Sequence, residues 1–442
     1  MSPLVSRASL GDRPVPPERI VHLGLGAFHR AHQAWYTAHA TDAADWGIVA
    51  FTGRSPQLAD RLAAQQGVYT LVERGTGGDR HEAIGSIVRA EPGSDVGAFV
   101  TAVAHPRTAI LTLTVTEAAY RFAPGGGLDL SDPAVSADID LFRNLSRVRT
   151  EHRLAYPTTV LGRTLLGLRA RHRAAAPPLA IVPCDNLAAN GDVVRRALET
   201  FAAQVSPALR DWLPTGVRVV STSVDRITPR VTVQETGRVK EATGWRDEVP
   251  VVTEPFADWV LAGDFPAGRP AWDSAGARFV AEIGPWETRK LWLLNGAHSL
   301  LAATGPLRGH TTVAQAFADP SCRAAVEALW DEASRHLPDL ALDDYRTALA
   351  ERFANPRIEH HLAQIAEDSL TKLRLRIVPV ARRERRAGRP ATACAVAVGA
   401  WIAAGGGSLG ELDPQLAADH DFRTAVHQAR KTLPGGSRVD AG

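Results

Sequence analysis

The feature that most constrains the fold is a short apolar run near the amino terminus that closes on two glycines. The run reads RIVHLGLG over residues 19–26, and its β-branched residues followed by Gly24 and Gly26 are typical of a strand ending in a tight turn. The next stretch, AFHRAHQAWYTAHATDA, spaces its apolar residues as a helix does. A strand, a glycine turn and a helix in this order predict the first unit of a parallel α/β fold.

Three later segments repeat this pattern of a buried strand followed by polar residues. WGIVAFTG at 46–53 follows at the distance that a right-handed βαβ unit requires, and TAILTLTVT at 108–116 and LAIVPCDNLAANG at 179–191 come later. In an open parallel sheet, the carboxyl ends of the strands line the ligand crevice. We therefore expect a cofactor and substrate to lie near Thr114, Thr116, Glu117, Asp185 and Asn186.

The texture of the sequence changes at about residue 284. Segments such as PSCRAAVEALWDEASRHL and YRTALAERFANP carry helical periodicity and are stopped by Pro or Gly. A chain of 442 residues is also longer than one ordinary core accommodates. We predict an α/β fold with an N-terminal Rossmann-type dinucleotide-binding domain over residues 1–283 and a mostly α-helical C-terminal domain over 284–442.

Charge and cysteine content exclude several classes of protein. Fifty Lys and Arg residues against 48 Asp and Glu leave a formal charge of +2, which disfavours nucleic acid and anionic membranes as partners. The three cysteines, Cys184, Cys322 and Cys394, are too far apart to suggest a disulfide framework. The amino terminus lacks a signal-peptide core, and ATACAVAVGAWIAAGGG reads as a buried helix. We therefore expect a cytoplasmic protein.

The glycine turn departs from the usual dinucleotide fingerprint at its third glycine position, which holds His29. Gly24 permits the tight turn and Gly26 lets the backbone approach a pyrophosphate, but His29 cannot give the close packing of helix on strand. His29 and His32 lie one helical turn apart without an acidic or cysteine partner at ligand spacing. We interpret them as hydrogen-bonded histidines rather than metal ligands, and expect a variant of the fold with a wider turn.

The stretch after the second strand bears on the choice between NAD and NADP. A dinucleotide site usually carries an acid there for the adenosine ribose, whereas TGRSPQ offers Arg54 and Ser55 and no acid. Both residues suit a 2′-phosphate, which leans toward NADP. The alternative is that Arg54 stacks on adenine or faces solvent, and the sequence leaves both open.

The segment EIGPWETRKLWLLNGAHSLLA, residues 282–302, concentrates polar groups on an otherwise apolar helix. At the α-helical 100° per residue, Glu287, Lys290, Asn295 and His298 fall within a sector of about 140°. Four polar groups converging from such a helix are costly to bury without a purpose. A desolvated lysine can serve as a general base, and side-chain amides can hold an oxyanion.

Five ordered motifs together resemble the signatures of one known family, the mannitol dehydrogenase family of polyol-specific long-chain dehydrogenases and reductases. The motifs are GLGAFHRAHQA, TVTEAAY, PCDNLAANG, SVDRITP and KLWLLNGAHS. The resemblance extends from about residue 19 to 380. It implies chemistry without zinc through a Lys-x4-Asn-x2-His pattern, which is matched by Lys290, Asn295 and His298.

The resemblance also implies a role for each matching residue. Lys290 is the acid/base group for the substrate hydroxyl, and Asn295 with Asn186 stabilises the developing alkoxide during hydride transfer. His298 binds and orients a substrate hydroxyl. Asp225 matches a substrate-site aspartate of the family.

Two further parts of the chain match the family's site. Glu287 matches a glutamate suited to relaying the proton to solvent. QIAEDSLTKLRLR resembles a substrate-binding segment and makes Lys372 and Arg376 candidates, although Ser369 stands where the family commonly has Gly. The mannitol-specific members have an arginine at the position of Gln364, so its absence argues against plain mannitol specificity; Lys372 and Arg376 would suit the carboxylate of a hexuronate.

These observations predict a zinc-independent NAD- or NADP-dependent oxidoreductase with no metal. It would interconvert a 2-ketose or keto-hexuronate, such as fructose, fructuronate or tagaturonate, with a polyol or aldonate, such as mannitol, mannonate or altronate. A non-catalytic dinucleotide-binding sensor, a sugar-phosphate polyol dehydrogenase and a zinc-dependent polyol dehydrogenase are the alternatives. The cofactor-binding candidates are Gly24, Gly26, Ala27, Phe28, Arg54, Ser55, Thr114, Thr116 and Glu117.

Overall fold

The computed structural model describes residues 2–53, 55–123, 126–145 and 156–433. The chain forms two compact units, the first comprising Met1–Arg74 and Gly78–Ile283 and the second Gly75–Gly77 and Gly284–Gly442. The strands of the described residues are β1 (Glu18–Leu25), β2 (Gly47–Thr52), β3 (Tyr69–Gly75), β4 (Gly78–Ile84), β5 (Ile87–Glu91), β6 (Ile110–Leu113), β7 (Leu179–Pro183), β8 (Val217–Val219), β9 (Ser221–Asp225), β10 (Val251–Thr253), β11 (Asp258–Ala262) and β12 (Arg278–Phe279).

The first unit is built on a six-stranded sheet in the order β5-β2-β1-β6-β7-β8, in which every neighbouring pair is parallel. Counting only these six strands along the chain, the order is 3-2-1-4-5-6, the arrangement of dinucleotide-binding Rossmann domains. The predicted fold class of this part of the chain is therefore confirmed. The helices around the sheets are α1 (Ala27–Ala31), α2 (Gln33–His39), α3 (Gln57–Ala64), α4 (Val96–Ala104), α5 (Pro133–Leu145), α6 (Val160–Arg173), α7 (Asn190–Val205), α8 (Pro207–Gly216) and α9 (Val233–Thr243).

Both faces of the large sheet are covered by hydrophobic clusters. Successive side chains on each strand point to opposite sides, so the central strands β2, β1, β6 and β7 contribute to both clusters. On β1, Ile20 joins one hydrophobic cluster, and Val21 and Leu23 join the cluster on the other face. The same alternation on β2 sends Ile48 to the first cluster and Val49 to the second. These apolar runs hold the carboxyl ends of β1, β6 and β7 side by side, which is where the polar residues follow.

Two three-stranded sheets complete the first unit, in the orders β10-β3-β4 and β12-β11-β9. Strand β9 pairs antiparallel with β11, so that Asp225 lies opposite Asp258. Arg226, the next residue, is buried and donates to the carbonyl oxygens of Ala31, at 2.7 Å, and Glu254, at 3.0 Å. This arginine therefore ties the end of β9 to the end of α1.

The second unit is helical, as predicted. Its helices are α10 (Gly284–Arg289), α11 (Gly296–Thr304), α12 (Val313–Ala318), α13 (Pro320–Ser334), α14 (Leu342–Phe353), α15 (Leu362–Ala366), α16 (Ser369–Arg376), α17 (Val378–Arg386), α18 (Thr392–Ala403), α19 (Leu409–Leu412), α20 (Pro414–Ala418) and α21 (His420–Thr432). The apolar segment expected to form a buried helix is α18, most of whose residues are buried. No helix in the described part of the chain is long and apolar enough to cross a membrane.

Candidate active site

The first glycine of the RIVHLGLG run is required by the backbone itself. Gly24 has φ +112°, and a Cβ built on it would lie 2.2 Å from the carbonyl oxygen of Thr114. Gly26, immediately before α1, has an extended backbone at φ −148°, and among the residues with described positions its Cβ would meet only the carbonyl oxygen of Gly24, at 3.6 Å. The space beside Gly26 is therefore open within the protein, which fits the close approach of a dinucleotide's pyrophosphate to this turn.

Thr114 holds the turn from the neighbouring strand end. Its hydroxyl donates to the carbonyl oxygen of Gly24 at 2.8 Å, and so it accepts from Nε2 of His22 at 3.0 Å. The proton of His22 is thereby placed on Nε2, and Nδ1 accepts from the hydroxyl of Thr112 at 2.8 Å. Burial lowers the pKa of His22 to about 3, so this histidine is neutral. The hydrogen bonds therefore run from the Thr112 hydroxyl to His22, from His22 to the Thr114 hydroxyl, and from Thr114 to the Gly24 carbonyl.

His29 packs α1 on β1 in place of the missing third glycine. Its ring stacks on that of His22, with centroids 3.3 Å apart and planes at 9°. The expectation of a hydrogen-bonded His29 was wrong: within the described residues neither ring nitrogen makes a hydrogen bond of ordinary geometry, and Gln33 is the polar side chain that approaches it. Burial and the neighbouring His22 keep the pKa of His29 well below its ordinary value. A flat neutral ring thus provides close packing that we expected only a glycine to allow.

The helix after the turn is interrupted, whereas the sequence predicted it as continuous. His32, between α1 and α2, has non-helical backbone angles of φ −118° and ψ −89°. Its Nε2 donates to the carbonyl oxygen of Asp258 on β11 at 3.0 Å, and Nδ1 accepts from Gln33 at 3.0 Å. The tie to β11 accounts for the break, and because β11 pairs with β9 it also fixes the strand that carries Asp225.

The polar residues after β6 and β7 separate into exposed and buried groups. Thr116 and Glu117, which begin a 3-10 turn at Glu117–Tyr120, are exposed, as is Asn186. Asp185 is buried and accepts from the hydroxyl of Tyr120 at 2.7 Å. Burial raises the pKa of Asp185. The aspartate secures the loop whose next residue is Asn186.

Three of the other four cofactor candidates of the first unit have described positions. Ala27 and Phe28 form the first turn of α1. Ser55 follows the carboxyl end of β2, is exposed, and donates to the side chain of Gln57. Arg54 lies outside the described residues.

The segment with Lys290 and Asn295 is not the regular α-helix on which the sequence estimate was based. Residues Lys290–Asn295 form a π-helix between α10 and α11, and the N–H of Gly296 reaches back to the carbonyl oxygen of Leu291. A turn closed by an i→i+5 bond contains one more residue than an α-helical turn, so the rotation per residue is smaller than in an α-helix. Lys290 and Asn295 are the two extremes of the 140° sector estimated above, at about 100° per residue. The π-helix therefore narrows the angle between them.

His298, in the first turn of α11, is buried at 8% exposure and neutral. Burial is the main cause that keeps its pKa well below the ordinary value, and the positive charges of Arg352, Arg376 and Lys290 act in the same direction. The ring lies 5.0 Å from that of Phe353 and 4.8 Å from that of His360, between centroids. A neutral imidazole can both donate to and accept from a hydroxyl group.

Arg376 and Lys372, both on α16, each donate a hydrogen bond to a backbone carbonyl of the second unit. Arg376 donates through Nη1 to the carbonyl oxygen of Asn295 at 3.4 Å and to the hydroxyl of Ser299 at 3.1 Å. Lys372 donates to the carbonyl oxygen of Ile365 at 3.0 Å, and its pKa is lowered, first by burial and then by Arg376. Glu287 lies in α10, three residues before Lys290. The second unit thus groups Lys290, His298, Lys372 and Arg376 by contact or charge.

Sequence reasoning missed two residues beside His298. His360 and Arg352 were not candidates, yet both act on the charge state of His298. The signal for His360 was its position four residues before Gln364, where the segment already matched to substrate binding begins. Among the residues with described positions, no group of three or more His, Cys, Asp or Glu side chains could hold a metal ion.

The sheet order and the glycine turn define the class of the chain as a dinucleotide-binding α/β protein. Comparison with known families is specific: the mannitol dehydrogenase Rossmann domain matches residues 18–274, and the mannitol dehydrogenase C-terminal domain matches 282–409. The chain therefore belongs to the mannitol dehydrogenase family, a family of oxidoreductases, as its motifs suggested.

Relatives and solved structures agree with this assignment. The chain is 35% identical to the D-mannonate oxidoreductase of Escherichia coli K12 over 419 residues, which covers 90% of this chain and 83% of the relative. The Pseudomonas fluorescens mannitol 2-dehydrogenase, solved as a ternary complex with NAD and D-mannitol, matches at 32% identity and a TM-score of 0.73, covering 94% of this chain and 86% of that one. A substrate-free D-sorbitol dehydrogenase matches at 27% identity and a TM-score of 0.82, covering 98% and 93%.

Proposed function

We propose that the protein is a zinc-independent NAD- or NADP-dependent oxidoreductase that interconverts a 2-ketose or keto-hexuronate with the corresponding polyol or aldonate. The observation that carries the proposal is the π-helix at Lys290–Asn295, which reduces the angle between a lysine and an amide around the helix axis and is followed by the buried, neutral His298. The names of the relatives, which act on mannonate and mannitol, support the same class of reaction.

In the proposed mechanism each residue handles a proton or a developing charge. The nicotinamide cofactor, when bound, accepts or supplies the hydride. In the oxidation direction Lys290 takes the hydroxyl proton of the alcohol, and the side-chain amide of Asn295 donates to the developing oxyanion. The neutral imidazole of His298 orients a neighbouring substrate hydroxyl, and Glu287 passes the proton from Lys290 to solvent. In the reduction direction Lys290 returns the proton to the ketone oxygen.

The roles of two residues of the first unit rest on the family resemblance. We propose Asn186 as a second amide for the oxyanion and Asp225 as a substrate ligand. Asn186 follows β7, and its position agrees with the rule that open parallel sheets bind ligands beyond the carboxyl ends of their strands. Asp225, at the end of β9, is not covered by that rule. Asp225 belongs to a separate small sheet.

Within this class of substrates we favour a keto-hexuronate over a neutral ketose. The positive charges of Arg352, Arg376 and Lys290 lower the pKa of His298. Arg376 and Lys372 both lie on α16. Such groups are suited to a carboxylate. The gain of a carboxylate partner would also offset the mutual repulsion of these cations.

A substrate panel tests the proposal. Fructose, fructuronate, tagaturonate, mannitol and arabinitol are each supplied with NAD(H) and with NADP(H), and absorbance of the reduced nicotinamide is followed. We expect cofactor oxidation with fructuronate or tagaturonate at a higher kcat/KM than with fructose. Cofactor binding without turnover on any of the five compounds would favour a sensor and contradict the proposal.

We further predict that NADPH is used at least as well as NADH, because Arg54 and Ser55 follow β2 where an acid usually excludes the 2′-phosphate. Titration of nicotinamide fluorescence gives the Kd of both cofactors. Arg54→Ala should weaken NADPH binding and leave NADH binding unchanged, whereas Arg61→Ala, at an exposed arginine of α3, should change neither. A strong preference of the unaltered protein for NADH would overturn the prediction.

A further inference from the structure

The π-helix at Lys290–Asn295 needs support from outside itself. A regular α-helix would leave these two side chains about 140° apart around the axis, at 100° per residue. π-turns are rare as regular structure and occur mostly as single turns at functional sites, which indicates that surrounding contacts maintain them. The contacts that maintain this one therefore bear on catalysis, if Lys290 and Asn295 have the roles proposed above.

Two side chains donate hydrogen bonds to the backbone of the π-helix. The indole Nε1 of Trp330 donates to the carbonyl oxygen of Leu293 at 2.8 Å, and Nη1 of Arg376 donates to that of Asn295 at 3.4 Å. The N–H of Gly296 divides itself between the carbonyl oxygens of Leu291 and Leu293. The carbonyl of Leu293 thus accepts from the Gly296 N–H, which it shares with Leu291, and from the indole of Trp330.

Trp330 is the more rigid of the two donors. It lies on α13 at 2% exposure, and its ring packs within 6.2 Å of Phe353 and 6.5 Å of Phe317, between centroids. A buried indole N–H needs an acceptor, and close packing fixes the direction in which it donates. Arg376 forms a longer bond and shares its Nη1 with Ser299.

We infer that Trp330 is a positioning residue of the proposed reaction. By donating to the Leu293 carbonyl it keeps Lys290–Asn295 in the π-helical form, and through that backbone it keeps the ammonium of Lys290 and the amide of Asn295 on one face. Trp330 lies on a different helix from both side chains and acts on them through Leu293. The inference rests on the proposed function.

The test removes the N–H donor of the indole in two ways, once with and once without a loss of ring volume. Trp330→Phe, and separately an isosteric benzothienylalanine at position 330, should lower kcat about tenfold or more, because Lys290 and Asn295 lose their relative alignment. The KM for the ketose or hexuronate and the Kd for the cofactor should stay within about twofold. The benzothienyl residue keeps the ring volume, so that it answers the question even if Trp330→Phe does not fold.

Trp46 provides a matched control at the amino end of β2, away from the proposed site. It is buried at 3% exposure, and its Nε1 donates to the carboxylate of Asp42 at 2.9 Å instead of to the π-helix. The same two replacements at 46 should also lower the unfolding midpoint and leave kcat unchanged. Equal kcat losses at both positions, or wild-type kcat after replacement of Trp330, would overturn the inference.

The Lys290→Ala variant separates this inference from the proposed function. If Lys290→Ala is inactive and Trp330→Phe has wild-type kcat, the inference fails and the proposed function stands. If Lys290→Ala turns over normally, the proposed function fails, whatever Trp330→Phe does.

Discussion

Lys290→Ala is expected to lower kcat by about two to four orders of magnitude, the range that general acid–base catalysis supplies. The reason is that no proton acceptor of matching position then remains on the π-helix for the substrate hydroxyl. The Kd for NADH or NADPH should stay within about twofold, because the glycine turn belongs to the first unit. Steady-state turnover and nicotinamide fluorescence measure the two quantities.

Lys372→Ala is the matched control for this prediction. It removes another lysine of the second unit that is proposed to bind substrate rather than to move a proton. We expect it to raise KM much more than it lowers kcat. Added methylamine should restore part of the activity of Lys290→Ala and none of the loss in Lys372→Ala. Near-normal turnover of Lys290→Ala would contradict the mechanism.

Gly24→Ala is expected to weaken cofactor binding by about a hundredfold or more, or to prevent folding of the first unit. At φ +112° an L-residue is strained, and the added Cβ would lie 2.2 Å from the carbonyl oxygen of Thr114. Relief requires the turn to move away from Thr114, which holds it by a hydrogen bond to the Gly24 carbonyl. Cofactor titration and the unfolding midpoint measure the two effects.

Gly26→Ala separates an effect on cofactor binding from an effect on the stability of the protein. Its φ of −148° is open to any residue, and the nearest atom to the added Cβ in the described part of the chain would be the Gly24 carbonyl oxygen, at 3.6 Å. We expect an unchanged unfolding midpoint and a clear loss of cofactor affinity, because the extra methyl group occupies space that a pyrophosphate would approach. Wild-type cofactor affinity in Gly24→Ala would contradict our account of the turn.

The sequence predicted the sheet well because the strands carry their own signal. Apolar runs such as residues 108–113 and 179–183 are typical of strands buried on both faces of a parallel sheet, and polar residues mark their carboxyl ends. The glycine turn could also be predicted locally, because the positive φ of +112° requires glycine at the single position 24. Helical periodicity likewise predicted the second unit.

The finer features of the site depend on contacts between residues distant in the sequence. The π-helix receives hydrogen bonds from Trp330 and Arg376, so a periodicity of 100° per residue could not predict it. The stacking of His29 on His22 depends on how α1 returns to β1. The hydrogen bond from the Tyr120 hydroxyl to Asp185 likewise joins two residues that nothing in the sequence pairs.

The most direct test of the central claim is turnover by the metal-stripped enzyme. After exhaustive chelation, the unaltered protein and Lys290→Ala are each mixed with NADH or NADPH and fructuronate, tagaturonate or fructose, and the reduced-nicotinamide absorbance is followed. Our account predicts undiminished sugar-dependent oxidation by the unaltered protein and a loss of about two orders of magnitude or more in Lys290→Ala. Activity that disappears on chelation and returns with zinc, or that survives in Lys290→Ala, would contradict it.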